Sequence, residues 1–194
     1  PANALRLFES KYAENPSDAN LYGLALAYKK NNNFNEGLAS LDKLLEKYPK
    51  NLVLNTTKVE FLSYFNKFND ALDLANKFLE ISPKNYPLSI SKSQILLNMG
   101  QYFESEEIIR DQLLRKNDSP ELWFMLSETQ KTSQNIVGYH QSRAEYFLLL
   151  GQDEKALNQL EFALQLTQNN FQVSDRIMTK IIEIKKSLQN SRGL

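Results

Sequence analysis

The chain has 194 residues, with 23 Lys and Arg against 23 Asp and Glu, so its formal net charge is zero. A balanced chain with no Lys/Arg run argues against nucleic acid as a partner, because phosphate binding needs clustered cations. No stretch approaches the roughly 20 apolar residues of a membrane span, the longest strongly apolar run being Tyr146 to Leu150. There is no cysteine, which excludes disulfides, thiolate metal sites and cysteine nucleophiles and fits cytosol and periplasm equally. The chain is long enough to bury roughly 70% of its unfolded surface without staples. It begins with Pro1 rather than Met, and the expectation is an excised or processed piece of a longer protein.

In chain order, Ala2 to Glu14 reads as the second helix of an incomplete first unit (residues 1–16), with Ala4, Phe8 and Pro16 in frame. A strict beat follows. Phe34, Phe68, Tyr102 and Ile136 are each 34 residues apart. The prolines Pro16, Pro49 and Pro83 keep nearly the same spacing, as do Pro87 and Pro120. A 34-residue period is the length of a tetratricopeptide (TPR) unit, a helix, a turn and a second helix. The predicted units are 18–51, 52–85 and 86–119, followed by irregular, overlapping repeats over 120–168.

Within the first unit Leu21, Leu24, Ala25 and Tyr28, then Phe34, Gly37 and Leu41, recur at helical spacing, and Pro49 ends the second helix. The second unit carries Val59, Leu62, Phe68, Ala71, Ala75 and Phe78, but Asn55 and Lys58 stand where large apolar residues are usual. The third carries Leu96, Gly100, Tyr102, Ser105, Ile109 and Leu113, and the fourth opens with Trp123 and Leu126. There the pattern breaks. Tyr139 takes a small residue's place and Arg143 a large apolar one's. Sliding the frame by half a repeat restores the fit through Ala144, Phe147, Gly151, Ala156, Leu160 and Ala163. One helix near 136–150 is therefore expected to serve two half-units and to change the local geometry. Ile177, Ile181, Ile184 and Leu188 form the apolar stripe of a capping helix over 170–190. The predicted fold is all-α: one TPR-type superhelical solenoid domain over 1–194, with roughly eleven helices in about five units and a half-repeat shift near 136–151.

Catalytic constellations are missing from this pattern. His140 is the one histidine, and a zinc site needs three or four ligands. HExxH, GxSxG, GxGxxG and P-loop motifs do not occur. Glu106 and Glu107 are adjacent on a helix, diverge, and read as a solvated face. Neither enzymatic activity nor a cofactor or metal is expected of this chain. Asn55-Thr56-Thr57 and Asn117-Asp118-Ser119 match the glycosylation pattern, which is too short to carry weight.

Protein is the expected partner. The first helix of each TPR unit lines the concave surface, and counting from the unit starts gives its inward positions. They are Tyr22, Leu26 and Lys30; Thr56, Glu60 and Tyr64; Ile90, Gln94 and Leu97; Phe124, Met125 and Glu128. Such a mixed, partly aromatic surface suits an extended peptide or a partner helix, although Leu26, Ile90, Leu97 and Met125 also fit a core role. Repeats that clamp the acidic tails of heat-shock chaperones place Lys, Asn and Arg at set first-helix positions. Here Tyr22, Leu26, Thr57, Pro87 and Ser91 stand there, and no basic residue is present to bind the tail carboxylate.

Two segments are more particular. One is Leu21-Tyr22-Gly23-Leu24-Ala25-Leu26-Ala27-Tyr28. The other runs from Pro120-Glu121-Leu122-Trp123 through His140, Ser142-Arg143-Ala144-Glu145-Tyr146-Phe147 and Gly151 to Ala156-Leu157 and Leu160-Glu161-Phe162-Ala163-Leu164. Together they resemble the C-terminal TPR region of BepA-type bacterial periplasmic proteins, over nearly the whole chain. The resemblance implies a parent with an N-terminal HExxH zinc metalloprotease domain and a role in outer-membrane protein assembly and quality control. The TPR part would contact the barrel-assembly machinery, substrates and the parent's own protease domain. The zinc would belong to that missing domain, since no matching ligand motif lies in this chain. A stand-alone TPR adaptor scaffolding another complex is the competing reading.

Overall fold

A computed structural model describes residues 2–167 and 169–192. Eleven helices and no strand occur among them: α1 (Ala2–Glu14), α2 (Asp18–Lys30), α3 (Phe34–Lys47), α4 (Leu52–Tyr64), α5 (Phe68–Ile81), α6 (Tyr86–Asn98), α7 (Tyr102–Arg115), α8 (Pro120–Thr132), α9 (Ile136–Leu149), α10 (Asp153–Leu166) and α11 (Phe171–Arg192). They divide into two compact units, Pro1–Met99 and Gly100–Leu194.

Two kinds of helix end set the repeat. Each first helix is preceded by a short polar side chain: Ser17, Asn51, Asn85 and Ser119, again 34 apart. Each accepts a hydrogen bond from the backbone N–H three residues on, at Asn20, Leu54, Leu88 and Leu122. Such a cap satisfies a donor that the helix cannot. The turn from first to second helix has three residues, and its middle one is left-handed: Asn32 (φ 60), Asn66 (φ 58), Gly100 (φ 78) and Gln134 (φ 63). At three of these turns the next residue's N–H reaches back five residues, Asn33 to Tyr28, Lys67 to Leu62 and Asn135 to Gln130. This is the Schellman closure of a helix C-terminus, and it reverses the chain within three residues.

The same markers locate the half-repeat shift. A fifth left-handed turn lies at Gly151 (φ 67), 17 residues after Gln134 instead of 34. Gln152 N–H closes it on the Phe147 carbonyl at 2.9 Å. So α9 begins where a second helix begins and ends as a first helix ends. Helix α10 enters without a side-chain cap, as α3, α5 and α7 do, and has their 14 residues rather than the 13 of α2, α4, α6 and α8. After it, Asn170 caps α11 through Val173 N–H as Asn51 caps α4. Helix α9 packs as extensively along α10 as along α8. The expected shared helix is present.

In the first unit of the fold, Ala25, Leu41 and Phe61 are fully buried and join α2, α3 and α4. Gly37 is what admits the Phe61 ring: a Cβ there would stand 2.6 Å from it. Val59, Ala71, Ala75, Leu88 and Ile95 continue the core through α4, α5 and α6. In the second unit Ala144, Ala156, Leu160 and Ala163 meet Ile177, Ile181 and Ile184 of α11, the stripe expected of the capping helix. The irregular α4 is explained by polar contacts. Asn55 is buried and donates to the Pro49 and Asn51 carbonyls at 3.1 and 2.8 Å, holding the preceding connection, while Lys58 pairs with Asp42 at 2.6 Å.

Three outcomes test these roles. No atom lies within 4 Å of a methyl added at Gly151, so Gly151→Ala reports backbone strain alone and should cost about 1 kcal/mol in urea unfolding. Gly37→Ala forces Phe61 to move and should cost about 1–3 kcal/mol. Asp18 accepts hydrogen bonds from Lys47 Nζ at 2.7 Å and Tyr48 Oη at 2.8 Å, and these hold its pKa below the ordinary value. Its contribution is therefore complete above an unfolded-state pKa of about 4 and is lost as pH falls through the lower folded value. Asp18→Asn should flatten the acid limb of the stability–pH curve, slightly, because the pair is exposed.

Candidate protein-binding surface

On the first unit the inward-counted residues divide by their neighbours. Tyr22 is half-buried, and its hydroxyl lies 3.0 Å from Thr57 Oγ1, linking α2 to α4. Thr56 is buried and its hydroxyl donates to the Leu52 carbonyl at 2.8 Å; it presents no polar group outward. Tyr64 keeps half its surface exposed (50%), beneath Lys29 Nζ at 5.3 Å from its ring centre. Lys30 and Glu60 are exposed, and Leu26, Ile90 and Leu97 are half-buried. Gln94, also exposed, donates to Asn98 at 3.3 Å along its own helix.

On the second unit Phe124 is 40% exposed, while Met125 and Glu128 are half-buried. The Phe124 ring meets Tyr146 of α9 at 5.5 Å. The Arg143 guanidinium lies between them, 5.2 Å from Phe124, 5.1 Å from Tyr146 and 5.0 Å from Phe147. Sequence counting named Phe124 but not these three, because it drew first-helix positions only from α8 and not from the first-helix half of α9. The signal was there in Arg143, the residue that fits the second-helix frame least.

Two expectations concerned acid–base groups. His140 Nδ1 is 2.8 Å from Gln159 Oε1, and its ring lies 4.9 Å from Tyr139 and 5.5 Å from Phe162, so it ties α9 to α10. Glu106 corrects the solvated-face reading. It is half-buried and accepts from Arg110 at 2.9 and 2.6 Å and from Gln130 Nε2 at 2.9 Å. The Gln130 side-chain carbonyl in turn accepts from Ser142 at 2.7 Å. This chain of hydrogen bonds joins α7, α8 and α9 through a wholly buried Gln130. The adjacent Glu107 is exposed. Among the described residues no three His, Asp or Glu converge as a metal site, and no helix is long and apolar enough to cross a membrane.

Removing the Gln130 amide would strand the Ser142 hydroxyl and one acceptor site of Glu106. Gln130→Leu should cost about 2–3 kcal/mol in denaturant unfolding, and Gln130→Glu more, since it would set a second carboxylate beside Glu106.

No protein-family model matches the chain, and no curated protein matches it. Solved structures do. MamA (residues 41 to the end) from Desulfovibrio magneticus RS-1 is 14% identical, with 88% of this chain and 97% of that one covered at a TM-score of 0.60. A tetratricopeptide repeat protein from Parabacteroides merdae is 15% identical over 93% and 77% at 0.60. A thermophilic TPR protein from Thermus thermophilus is 21% identical over 92% and 89% at 0.53. At these identities the likeness concerns architecture, and it agrees with the helix ends and the 34-residue beat: the chain has the all-α, TPR-type solenoid fold.

Proposed function

We propose that the chain is a non-catalytic protein-binding module, and that it serves as the docking and substrate-binding part of a periplasmic zinc metalloprotease and chaperone acting in outer-membrane protein assembly and quality control. The observation that carries protein binding is that two exposed aromatic rings, Tyr64 and Phe124, are each held on a first-helix face beside a cation. An exposed aromatic ring oriented by its neighbours is the usual anchor of a protein interface. The periplasmic protease assignment is supported by the segments around Tyr22 and Arg143-Ala144-Glu145-Tyr146, which resemble BepA-type proteins. In that reading the zinc sits in the parent's protease domain, and the partners are the barrel-assembly machinery, substrates and that domain itself.

Antibodies raised against residues 1–194 should capture the native parent from its source cells for intact mass and metal analysis. A mass near twice that of this chain, with bound zinc, is expected. A zinc-free species of this chain's own mass overturns the protease part and leaves a stand-alone adaptor. Binding is tested separately on whatever partner is co-captured: Tyr64→Ala and Phe124→Ala together should weaken it at least tenfold, and an unchanged affinity sinks these faces as the interface.

A further inference from the structure

Arg143 occupies the position that α3, α5, α7 and α10 fill with Leu41, Ala75, Ile109 and Leu160, all buried. In α9 the buried residues are instead Gly138, Ser142 and Ala144, and the Arg143 side chain emerges half-buried beside α8. Three rings surround it at 5.0–5.2 Å. Ring faces attract the cation but leave its in-plane N–H donors unused, and guanidinium has five of them in a fixed fork. Arg143 makes no ion pair among the described residues. Glu145 of α9 is taken by Lys180 of α11, and Glu128 of α8 makes no ion pair with it among the described residues. Its rotamer is already restricted by the rings, so a carboxylate arriving from outside meets a donor fork whose ordering cost is largely met. The exposed edge of Phe124 offers apolar contact next to it.

Resting on the protein-binding reading, we propose that Arg143, held among Phe124, Tyr146 and Phe147, receives the side-chain carboxylate of an Asp or Glu from a partner polypeptide. An apolar residue next to that acid packs on Phe124. The partner segment thus carries an acid next to an apolar residue. This site lies on the shared helix, apart from the first-helix positions at which the chaperone-tail clamp places its basic residues.

The test uses the full chain and a short peptide of Glu, Leu and Gly labelled with a neutral fluorophore that has no carboxylate, with both termini blocked so that side chains carry its only carboxylates. A twin carries Gln for Glu, and a second twin carries Gln with a free C-terminus. Fluorescence anisotropy should show the Glu peptide binding at least tenfold tighter than the amidated Gln twin, and more weakly as salt rises. Arg143→Gln should remove that preference. Arg143→Lys should restore it in part, since it returns the charge without the planar fork. Circular dichroism melting checks that both variants stay folded, and Phe124→Leu, which keeps an apolar side chain, should also lower Glu-peptide affinity. Equal binding of the Glu and Gln peptides overturns the proposal and leaves protein binding standing. So does Glu-peptide binding indifferent to Arg143. Arg143-dependent preference for the free C-terminus overturns the side-chain source. No binding of any peptide overturns the proposal, while the parent-capture experiment judges the wider reading independently.

Discussion

Close approach of paired helices is the constraint on which the rest depends. The fourth residue of every regular second helix is small and buried: Gly37, Ala71, Ser105 and Ala156. At Gly37 the reason is visible, for the space of one methyl group is filled by the Phe61 ring of the next first helix. A helix hairpin has too little apolar area to be stable alone, and only a neighbour seated that closely covers its stripe. The irregular helix α9 has Tyr139 there. Its buried face turns to Gly138, one residue earlier, and the change of frame follows from it.

Much of this was legible in the sequence because the repeat prints its spacing in several residue types at once. The large anchors and the prolines placed all four first helices at their observed starts, Asp18, Leu52, Tyr86 and Pro120. The break at Arg143 and the return of fit at Ala144 placed the shared helix. Two further beats went unread, the capping residues Ser17, Asn51, Asn85 and Ser119 and the left-handed Asn32, Asn66, Gly100 and Gln134. Both are polar or small and vary in identity, so an apolar-period search passes over them, although their physical roles are uniform.

The surface was less legible than the fold. Helical counting gives a direction for each side chain but not its partner. Thr56 and Tyr64 were both counted inward; the first turns its hydroxyl to its own helix, the second stands half-exposed under Lys29. Glu106 was misread for the same reason. Its adjacency to Glu107 was evident, but its acceptor role depends on Gln130, 24 residues away on another helix. The aromatic setting of Arg143 likewise draws on α8 and α9 together and has no signature within either.

Helix α9 also has a consequence for how the second unit comes apart. In a regular array the junction between repeats is the natural place for partial unfolding, since each repeat keeps its own hairpin when its neighbour frays. With α9 belonging to two hairpins, its melting takes the hairpin partner from both α8 and α10 and leaves them only their packing on α7 and α11. The segment from α8 through α10 has no internal seam, and its amide protons would exchange as a single cooperative block.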